Sequence, residues 1–368
     1  MTYNPNIPYN DLPDLPPVLY SGTNEVILNH AVKAARSLAE LKGLCDSLPA
    51  ESLMNLLVNT IILQESRDSS AIENIVTTQD ELYRATTDEK VTNVAAKEVL
   101  GYREALYAGL DWLRSHENLI TTNLLIDVVQ IINRNKSGIR KTPGVVLKSS
   151  VTGKVIYTPP CCGDEINEKL KHLEVFINDP EFCKFDPVIK LALMHYQFEA
   201  IHPFGDGNGR TGRILNNLYL VQQNLLPLPV LYLSSYIIDH RQDYYQLLRD
   251  VTEKQNWRDW ILFMITALNT TALLTIRKIR GILDLQKEMR SETMDILEKF
   301  NNREKLFELM FTIPYLKIDL LVKKGIAHRQ TAALYLNHLA SKGILEPLKK
   351  GRTTYYLNHR LMNLITIR

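Results

Sequence analysis

Residues 202–213 read His-Pro-Phe-Gly-Asp-Gly-Asn-Gly-Arg-Thr-Gly-Arg, with apolar segments on both sides. The preceding residues, 189–201, carry apolar side chains at helical spacing. Pro203 disfavours helical geometry at His202, so the first helix should end there. A helical apolar pattern resumes after the loop, and Asn208 is placed to cap its start. The sequence therefore predicts a helix, a glycine-rich loop and a second helix.

The loop has the features of an anion-binding site. A glycine-rich backbone before a helix N-terminus directs unpaired N–H groups and the positive end of the helix dipole at one point. Arg210 and Arg213 are three residues apart, so both guanidinium groups can bind phosphate oxygens from one helix face. Asp206 would repel a bare polyphosphate and is better explained as a ligand of the Mg²⁺ (or Mn²⁺) that a polyphosphate carries. His202 is the only side chain in the loop whose ordinary pKa lies near neutrality, which suits a general base.

Neither common nucleotide-binding motif accounts for the stretch, because it lacks the Gly-Lys-Ser/Thr of a P-loop and follows a helix, whereas a Rossmann loop follows a strand. It resembles instead the motif of the Fic family of protein adenylyltransferases, His-Pro-Phe-x-Asp/Glu-Gly-Asn-Gly-Arg-x-x-Arg. Every fixed position is filled, by His202, Pro203, Phe204, Asp206, Gly207, Asn208, Gly209, Arg210 and Arg213. The alternative is a glycine loop that merely joins two core helices, but such a loop does not require a His, an Asp and two Arg together.

The resemblance implies an all-α fold, in which a Fic-fold helical core carries a β-hairpin flap. It also implies transfer of AMP from ATP to a Ser, Thr or Tyr hydroxyl of a target protein, self-modification included. His202 would be the catalytic base and Asp206 the metal ligand. The implied ATP-binding residues are Glu73, His202, Gly207, Asn208, Gly209, Arg210, Thr211, Gly212, Arg213 and Tyr245. The loop chemistry leaves open the transfer of another nucleotidyl or phosphoryl group, and the removal of AMP with Glu73 orienting a water.

A second motif lies N-terminal to the first. Residues 69–74, Ser-Ser-Ala-Ile-Glu-Asn, resemble the inhibitory motif Ser/Thr-x-x-x-Glu-Gly/Asn of one regulatory class of the family, which makes Ser69, Glu73 and Asn74 the inhibitory residues. A Glu73 carboxylate that reaches Arg213 would occupy the site of the γ-phosphate. The alternative is a capping box, in which Ser70 and Glu73 only satisfy the first turn of a helix.

Two further segments are read partly through the resemblance. Residues 145–157 contain two β-prone runs around a turn with Gly153, which predicts a hairpin. In the family such a flap holds the target protein by strand addition, so we expect the target to dock here. The alternative is a solvent-exposed hairpin without a role. Tyr244 and Tyr245 resemble a family position near the adenine or ribose, although paired aromatic residues on a helix also occur in cores.

With 368 residues, the chain is long enough for about two domains. Five prolines in residues 1–17 predict an extended arm. The predicted Fic domain covers residues 18–299, and residues 300–368 have the pattern of a small winged helix-turn-helix domain. Helical spacing is found over residues 25–48, 50–64, 91–112 and 119–133, on both sides of the 202–213 loop, and from about residue 244 to about 299. Residues 317–352 hold eight Lys or Arg and two acidic residues, so DNA is an alternative partner. A DNA-binding regulator whose core senses nucleotide is the corresponding alternative function.

Composition sets the remaining expectations. The net charge is only +2, and the four cysteines show no metal-binding spacing, so they are expected as free thiols in a reducing cytoplasm. The N-terminus does not resemble a signal peptide. Polar residues interrupt the two long uncharged stretches, 214–238 and 260–276, which predicts buried helices and no membrane contact. We further expect a homodimer.

Overall fold

The computed structural model describes residues 3–18, 21–48, 58–87, 93–149, 152–351 and 353–366. The described helices and strands, in chain order, are α1 (Ser21–Asp46), a π-helical turn (Val58–Ile62), α2 (Leu63–Ile72), α3 (Gln79–Ala85), α4 (Val94–Ser115), α5 (Thr122–Asn133), β1 (Leu147–Lys148), β2 (Val155–Tyr157), α6 (Asp164–Asn178), α7 (Pro187–Ile201), α8 (Asn208–Gln222), α9 (Leu233–Asp239), α10 (Arg241–Lys254), α11 (Trp257–Ile296), α12 (Arg303–Thr312), β3 (Tyr315–Leu316), α13 (Ile318–Lys323), α14 (Arg329–Ser341), β4 (Glu346–Lys350), β5 (Thr353–Leu357) and α15 (His359–Thr366). The helical fold class predicted from the sequence is confirmed. The helix predicted over residues 50–64 lies mostly outside the described residues.

The helix, loop and helix predicted around residues 202–213 are present, and α7 and α8 pack against each other in the main core. The Asp186 side chain caps α7 by accepting a bond from the Val188 N–H, 2.9 Å away. The helix ends at His202, whose φ of 49° is left-handed. This is the end that Pro203 predicted.

The predicted role of Asn208 as the cap of α8 is wrong. The cap position is taken by Gly207, whose φ of 82° is left-handed. The Asn208 side chain turns back instead, accepts a bond from the Phe204 N–H at 2.9 Å and donates to the Phe204 carbonyl at 2.8 Å. These two hydrogen bonds pair the polar groups of a buried side-chain amide and close the loop. They are therefore more favourable than a cap on the first turn of the helix.

Helix α11 is 40 residues long and packs against α1, α7 and α9. Among the described residues it is the one helix that is long and apolar enough to cross a membrane, but 56% of its apolar window is buried inside the protein. That degree of burial is typical of a core helix. The other uncharged stretch, residues 214–238, is divided between α8 and α9 by a loop. Both stretches are therefore buried helices, as expected.

The N-terminal arm forms no helix or strand over residues 3–18, yet it is packed onto the core. Leu12 and Leu15 are buried among the main-core residues. The Tyr9 N–H donates to the Thr158 carbonyl at 3.0 Å, just beyond β2. The arm is thereby held beside the flap.

The C-terminal segment contains the predicted pair of helices, α13 and α14, followed by the β4–β5 hairpin. A short strand, β3, pairs with β5, so the antiparallel sheet has the order β3-β5-β4. Arg352, which the basic face was predicted to include, lies outside the described residues. The identification as a winged helix-turn-helix remains a prediction. This segment shares a second core with residues from α2–α4 and the end of α11, including Leu63, Tyr83 and Met289.

The sequence patterns did not predict α3 and α6. A sequence signal for the start of α3 was nevertheless present, since Thr78 and Glu81 have the spacing of a capping box and form one in the structure.

Candidate active site

The loop between α7 and α8 faces a cavity of about 290 Å³. Most of the predicted site residues line this cavity: Glu73, His202, Asp206, Gly207, Asn208, Gly209, Arg213 and Tyr245. The remaining predicted residues, Ser69, Asn74, Arg210, Thr211 and Gly212, lie outside its lining. The fold therefore brings residues from three separate parts of the chain to one cavity.

His202 is placed at the C-terminal end of α7 and faces the cavity. Its Nδ1 lies 3.3 Å from the Glu199 carbonyl oxygen. Burial lowers the pKa of His202 to about 4, so the imidazole is neutral at neutral pH. If Nδ1 carries the proton and donates to Glu199, Nε2 is the nitrogen that can accept one. His202 thus has the charge state that a general base needs.

Arg140 holds the backbone of this residue and was not identified from the sequence. Its Nε donates to the His202 carbonyl at 2.9 Å, and its backbone N–H donates to the Pro203 carbonyl at 2.9 Å. The other guanidinium nitrogens donate to the carbonyls of Pro160 and Cys161. Arg140 therefore joins the start of the 202–213 loop to the residues that follow the flap.

The end of the cavity predicted to bind phosphate is formed by the first turn of α8. The first intrahelical bond there runs from the Thr211 N–H to the Gly207 carbonyl, so the preceding N–H groups have no acceptor within the helix. Asn133 holds the loop by donating to the Asp206 carbonyl at 3.0 Å. A Cβ at position 207 would approach the Asn133 side chain to 3.0 Å, and the left-handed backbone of Gly207 also favours glycine. The open N–H groups and the helix dipole make this end a site for anions.

Two buried arginine side chains, each 2% exposed, extend from α8 towards α2. Arg213 Nη2 lies 2.6 Å from Glu73 Oε1, and its Nε donates to Ser69 Oγ at 2.7 Å. Arg210 Nε lies 3.3 Å from Glu73 Oε2, and Arg210 also pairs with Glu98 at 3.2 Å. The Glu73 carboxylate therefore bridges both arginines. Glu98 was another residue that the sequence did not reveal.

Glycine avoids close contacts at two positions around these arginines. A Cβ at position 209 would collide with Glu73 Oε1 and approach Arg213 Nη1 to 2.9 Å. At position 212 a Cβ would meet Glu199 Oε1 at 2.6 Å. Gly209 thus permits the contact between Glu73 and Arg213, and Gly212 provides space for the Glu199 carboxyl. Burial raises the pKa of Glu199 to about 7.

The capping-box interpretation of Glu73 is excluded by the position of α2. Helix α2 ends at Ile72, so Glu73 is its C-terminal cap residue and its N–H donates to the Ser70 carbonyl at 3.0 Å. A capping box requires the acid in the first turn of a helix. Asn74 follows with a left-handed φ of 66°, and its Oδ1 accepts a bond from Arg241 at 3.1 Å.

Asp206 is the predicted metal ligand, and its side chain is 77% exposed. Its Oδ2 lies 3.3 Å from Arg210 Nη2. No group of three or more His, Cys, Asp or Glu side chains that could hold a metal ion occurs within the described parts of the chain. One exposed carboxylate beside a phosphate site fits a magnesium ion that a nucleotide carries, because Mg²⁺ takes one or two carboxylates together with phosphate oxygens and waters.

The flap and helix α10 enclose the rest of the cavity. Strands β1 and β2 pair antiparallel, with Leu147 opposite Tyr157, and both residues line the cavity. Tyr157 is fastened to α7 through its hydroxyl, which donates to the Ala200 carbonyl at 2.7 Å. On α10, the buried Tyr244 is bonded to His195 at 2.9 Å, whereas Tyr245 is 40% exposed. Tyr244 therefore packs in the core, and Tyr245 extends towards solvent at the cavity edge. The contact of Tyr245 with adenine or ribose stays a prediction.

Comparison with known proteins places these features in a family context. The model described as Fic/DOC family N-terminal matches residues 28–111, and the Fic/DOC family model matches residues 119–220. A third model, described as Protein adenylyltransferase SoFic-like, C-terminal domain, matches residues 285–361. Together these three matches span most of the chain.

Two relatives found by sequence are named as protein adenylyltransferases, one of them as probable. The protein named Protein adenylyltransferase Fic from Aedes aegypti is 29% identical over 168 residues, which are 44% of this chain and 32% of that protein. A probable protein adenylyltransferase from Aquifex aeolicus is 24% identical over 266 residues, 70% of this chain and 76% of that protein. The match to the first relative thus covers about a third of its length.

A solved structure supports the fold. The crystal structure of a Fic family protein from Desulfovibrio desulfuricans superimposes with a TM-score of 0.58 at 20% identity, covering 93% of this chain and 98% of that one. At this identity the comparison shows the fold alone, and it confirms the predicted Fic fold.

Proposed function

This chain belongs to the Fic/DOC family, and from that premise we propose that it transfers AMP from ATP to a Ser, Thr or Tyr hydroxyl of a protein. The observation that carries the proposal is the composition of one cavity. A neutral His202, the open N–H groups at the start of α8 and the guanidinium of Arg213 all face it. A base beside an anion site is the arrangement that nucleotidyl transfer to a hydroxyl needs.

In the proposed reaction His202 removes the proton of the target hydroxyl. The hydroxyl oxygen then attacks the α-phosphorus of ATP, the bond to the bridging oxygen breaks, and pyrophosphate leaves. The N–H groups of the turn from Gly207 to Arg210 stabilise the charge that develops on the transferring phosphate. Arg210 and Arg213 bind the β- and γ-phosphates and so stabilise the leaving group.

Asp206 is the residue that would hold Mg²⁺ or Mn²⁺ in this scheme. When bound with ATP, the metal would neutralise part of the phosphate charge. The neighbouring Arg210, 3.3 Å from Asp206, keeps the carboxylate at the edge of the phosphate site.

The contact between Glu73 and Arg213 supports a second part of the proposal, autoinhibition. The Glu73 carboxylate occupies the guanidinium fork that should bind the γ-phosphate, and it also contacts Arg210. ATP that enters this site must compete with an internal anion. Without the clamp, the triphosphate is held away from the in-line geometry that transfer requires.

The flap supports the choice of a protein as the acceptor. Strands β1 and β2 are only two and three residues long, and the cavity lies directly beneath Leu147 and Ile156. An extended segment of a target added to this hairpin would be held by main-chain hydrogen bonds, which demand little of its sequence. We include self-modification in the proposal, because any accessible hydroxyl that reaches His202 would be a substrate.

The experiment that tests the function compares two labels. The Glu73→Gly variant, which should be released from inhibition, is incubated with a cell lysate and with ATP labelled on either the α- or the γ-phosphate. Kinases of the lysate transfer γ-label themselves, so each reaction is compared with the same lysate without the variant. Relative to that control we expect protein to gain the α-label alone, with the mass of an AMP adduct on a Ser, Thr or Tyr peptide. The His202→Ala form of the same variant should add neither label.

Two outcomes would overturn the proposal. A gain of γ-label over the lysate alone would indicate phosphoryl transfer by this protein. No gain of either label, with a variant that is folded and binds ATP, would show that the cavity does not perform this transfer.

A further inference from the structure

A residue of the N-terminal arm lies in the proposed nucleotide cavity. Tyr3 is part of its lining, although it is far in sequence from every other lining residue. Its hydroxyl donates to the Ile156 carbonyl on β2, at 3.4 Å, and its ring stacks on Tyr157 with centroids 6.1 Å apart and planes inclined by 20°. The ring of Tyr9 packs edge-on against Tyr3 at 5.3 Å. The arm thus places an aromatic ring beside the flap.

Hydrogen bonds keep the arm in this position. The Thr158 hydroxyl donates to the Pro5 carbonyl at 2.6 Å, next to the bond from the Tyr9 N–H to the Thr158 carbonyl. Further along, the Cys161 N–H donates to Asn10 Oδ1 at 2.8 Å. The strand end and the arm are therefore joined at several successive residues.

Tyr3 lies towards the end of the cavity away from Arg213. Along α10 the lining residues are Tyr244, Tyr245, Leu248, Arg249 and Thr252. Arg213 acts electrostatically on both tyrosines at the start of this series. At the other end, burial raises the pKa of Tyr3, with Glu253 acting in the same direction and Arg249 against it.

The length of this series fits a nucleotide. From position 245 to position 252 a helix rises about 10 Å, since each residue adds roughly 1.5 Å. A triphosphate held at the α8 end leaves the nucleoside to extend along α10 towards Arg249. The base would then arrive between the flap and the arm.

We propose that Tyr3 is a specificity-determining residue that forms the outer wall of the nucleobase site. The inference rests on the proposed function, because it takes the ligand to be a nucleoside triphosphate bound by its phosphates at α8. A ring in this position closes the site over a flat base and contacts its face or edge. The N-terminal arm is therefore part of the substrate site.

The test measures binding and turnover separately, in the full chain carrying Glu73→Gly. Three further variants are compared with that parent: Tyr3→Ala, Tyr3→Phe and Tyr9→Ala. Tyr9→Ala is the matched control, because Tyr9 is an aromatic residue of the same arm and lies outside the cavity lining among the described residues. Calorimetry gives the affinity for ATP and for inorganic tripolyphosphate, which has no base.

We expect Tyr3→Ala to weaken ATP binding and raise KM for ATP by about five- to tenfold, with kcat within about twofold. Tripolyphosphate affinity should stay unchanged, and Tyr3→Phe should restore the ATP affinity. Relative KM values for GTP, CTP and UTP should move closer to that for ATP in Tyr3→Ala, because the wall that selects the base is gone.

An unchanged ATP affinity in Tyr3→Ala overturns the proposal. An equal loss in Tyr9→Ala also overturns it, because the arm would then matter through packing alone. If the parent binds ATP but transfers nothing, the proposed function fails while the binding comparison still decides the role of Tyr3. A parent that binds no ATP contradicts both.

Discussion

Replacing Glu73 by glycine tests the inhibitory contact directly. The substitution removes the carboxylate that lies 2.6 Å from Arg213 Nη2 and 3.3 Å from Arg210 Nε. Arg213 keeps its bonds to Ser69, at 2.7 Å to Oγ and 2.8 Å to the carbonyl oxygen, so its side chain stays in place. The freed nitrogens then face the cavity and can bind the γ-phosphate.

The magnitude follows from the contact that ATP no longer has to displace. A charge-assisted hydrogen bond contributes about 1.5–3 kcal/mol, and each 1.4 kcal/mol corresponds to about a factor of ten in rate. We therefore expect transfer to rise by roughly ten- to a hundredfold. The apo variant should also melt a few degrees lower, because the buried guanidinium groups lose a counter-ion, and ATP with magnesium should raise its melting temperature more than that of the wild type.

The assay follows transfer of the α-label at saturating magnesium and ATP, with amounts matched for folded protein by circular dichroism. Glu98→Ala is the matched control, since Glu98 pairs with Arg210 at 3.2 Å and belongs to the same cluster. It leaves the Glu73–Arg213 pair intact, so its rate should change by less than about twofold. Arg213→Ala should be inactive alone and in combination with Glu73→Gly, because the clamp is absent.

An unchanged rate in Glu73→Gly would refute the inhibitory role and leave Glu73 as a structural partner of two arginines. An equal activation in Glu98→Ala would show that general charge reduction, and not release of Arg213, controls the rate.

Three other variants test separate parts of the site. His202→Ala should lower transfer by about 10²- to 10⁴-fold while the ATP affinity measured by calorimetry stays within a few-fold. Arg140→Ala should lower kcat by roughly tenfold or more with little change in KM for ATP, because the His202 backbone is no longer held. Arg140→Lys should recover part of the rate, and an effect confined to KM would contradict this role. Glu199 has a pKa raised to about 7, against 4.5 when unfolded, so it reduces stability as pH rises from 4.5 to 7. In thermal denaturation, the melting temperature of Glu199→Gln minus that of the wild type should therefore increase by a few degrees between pH 5 and pH 8. A difference that does not vary with pH would exclude the raised pKa.

Local patterns predicted the centre of this site well. The end of α7 at His202 followed from Pro203, and the facing pair of Arg213 and Glu73 followed from two motifs and the resemblance they carry. Asn208 was misjudged because a buried amide beside a tight loop found better partners in the loop itself. In these cases the deciding interactions lie within a few residues along the chain or between two recognised motifs.

Residues that reach the site from a distance left no such signal. Glu98 is an ordinary charged residue on α4, and only the packing of α4 beside α8 brings it to Arg210. Arg140 and Tyr3 likewise depend on where the flap and the arm lie after folding. Their spacing in the sequence carries no periodicity that points to a site, so the tertiary structure was needed to find them.

Helix α2, which presents Glu73, is anchored by polar contacts along its length. Glu65 accepts bonds from the Ser234 N–H at 2.8 Å, the Ser234 hydroxyl at 2.6 Å and the Tyr102 hydroxyl at 3.2 Å. Asp68 accepts a bond from the Tyr232 hydroxyl. All of these groups are buried, so moving the helix away would leave several of them unsatisfied at a cost of about 1–3 kcal/mol each.

Release of the arginines therefore needs no departure of α2. Glu73 is the residue that ends the helix, and its side chain is 22% exposed, so rotation about its own bonds can carry the carboxylate away from Arg213 and Arg210. That movement breaks only the contacts that the phosphates of ATP would replace with contacts of the same kind. Withdrawal of the whole helix would break the bonds of Glu65 and Asp68 as well, and ATP offers nothing in exchange for them. The free-energy difference between the inhibited and the active site is therefore that of moving one side chain on a fixed helix. For this reason we expect a single substitution at Glu73 to be sufficient for activation.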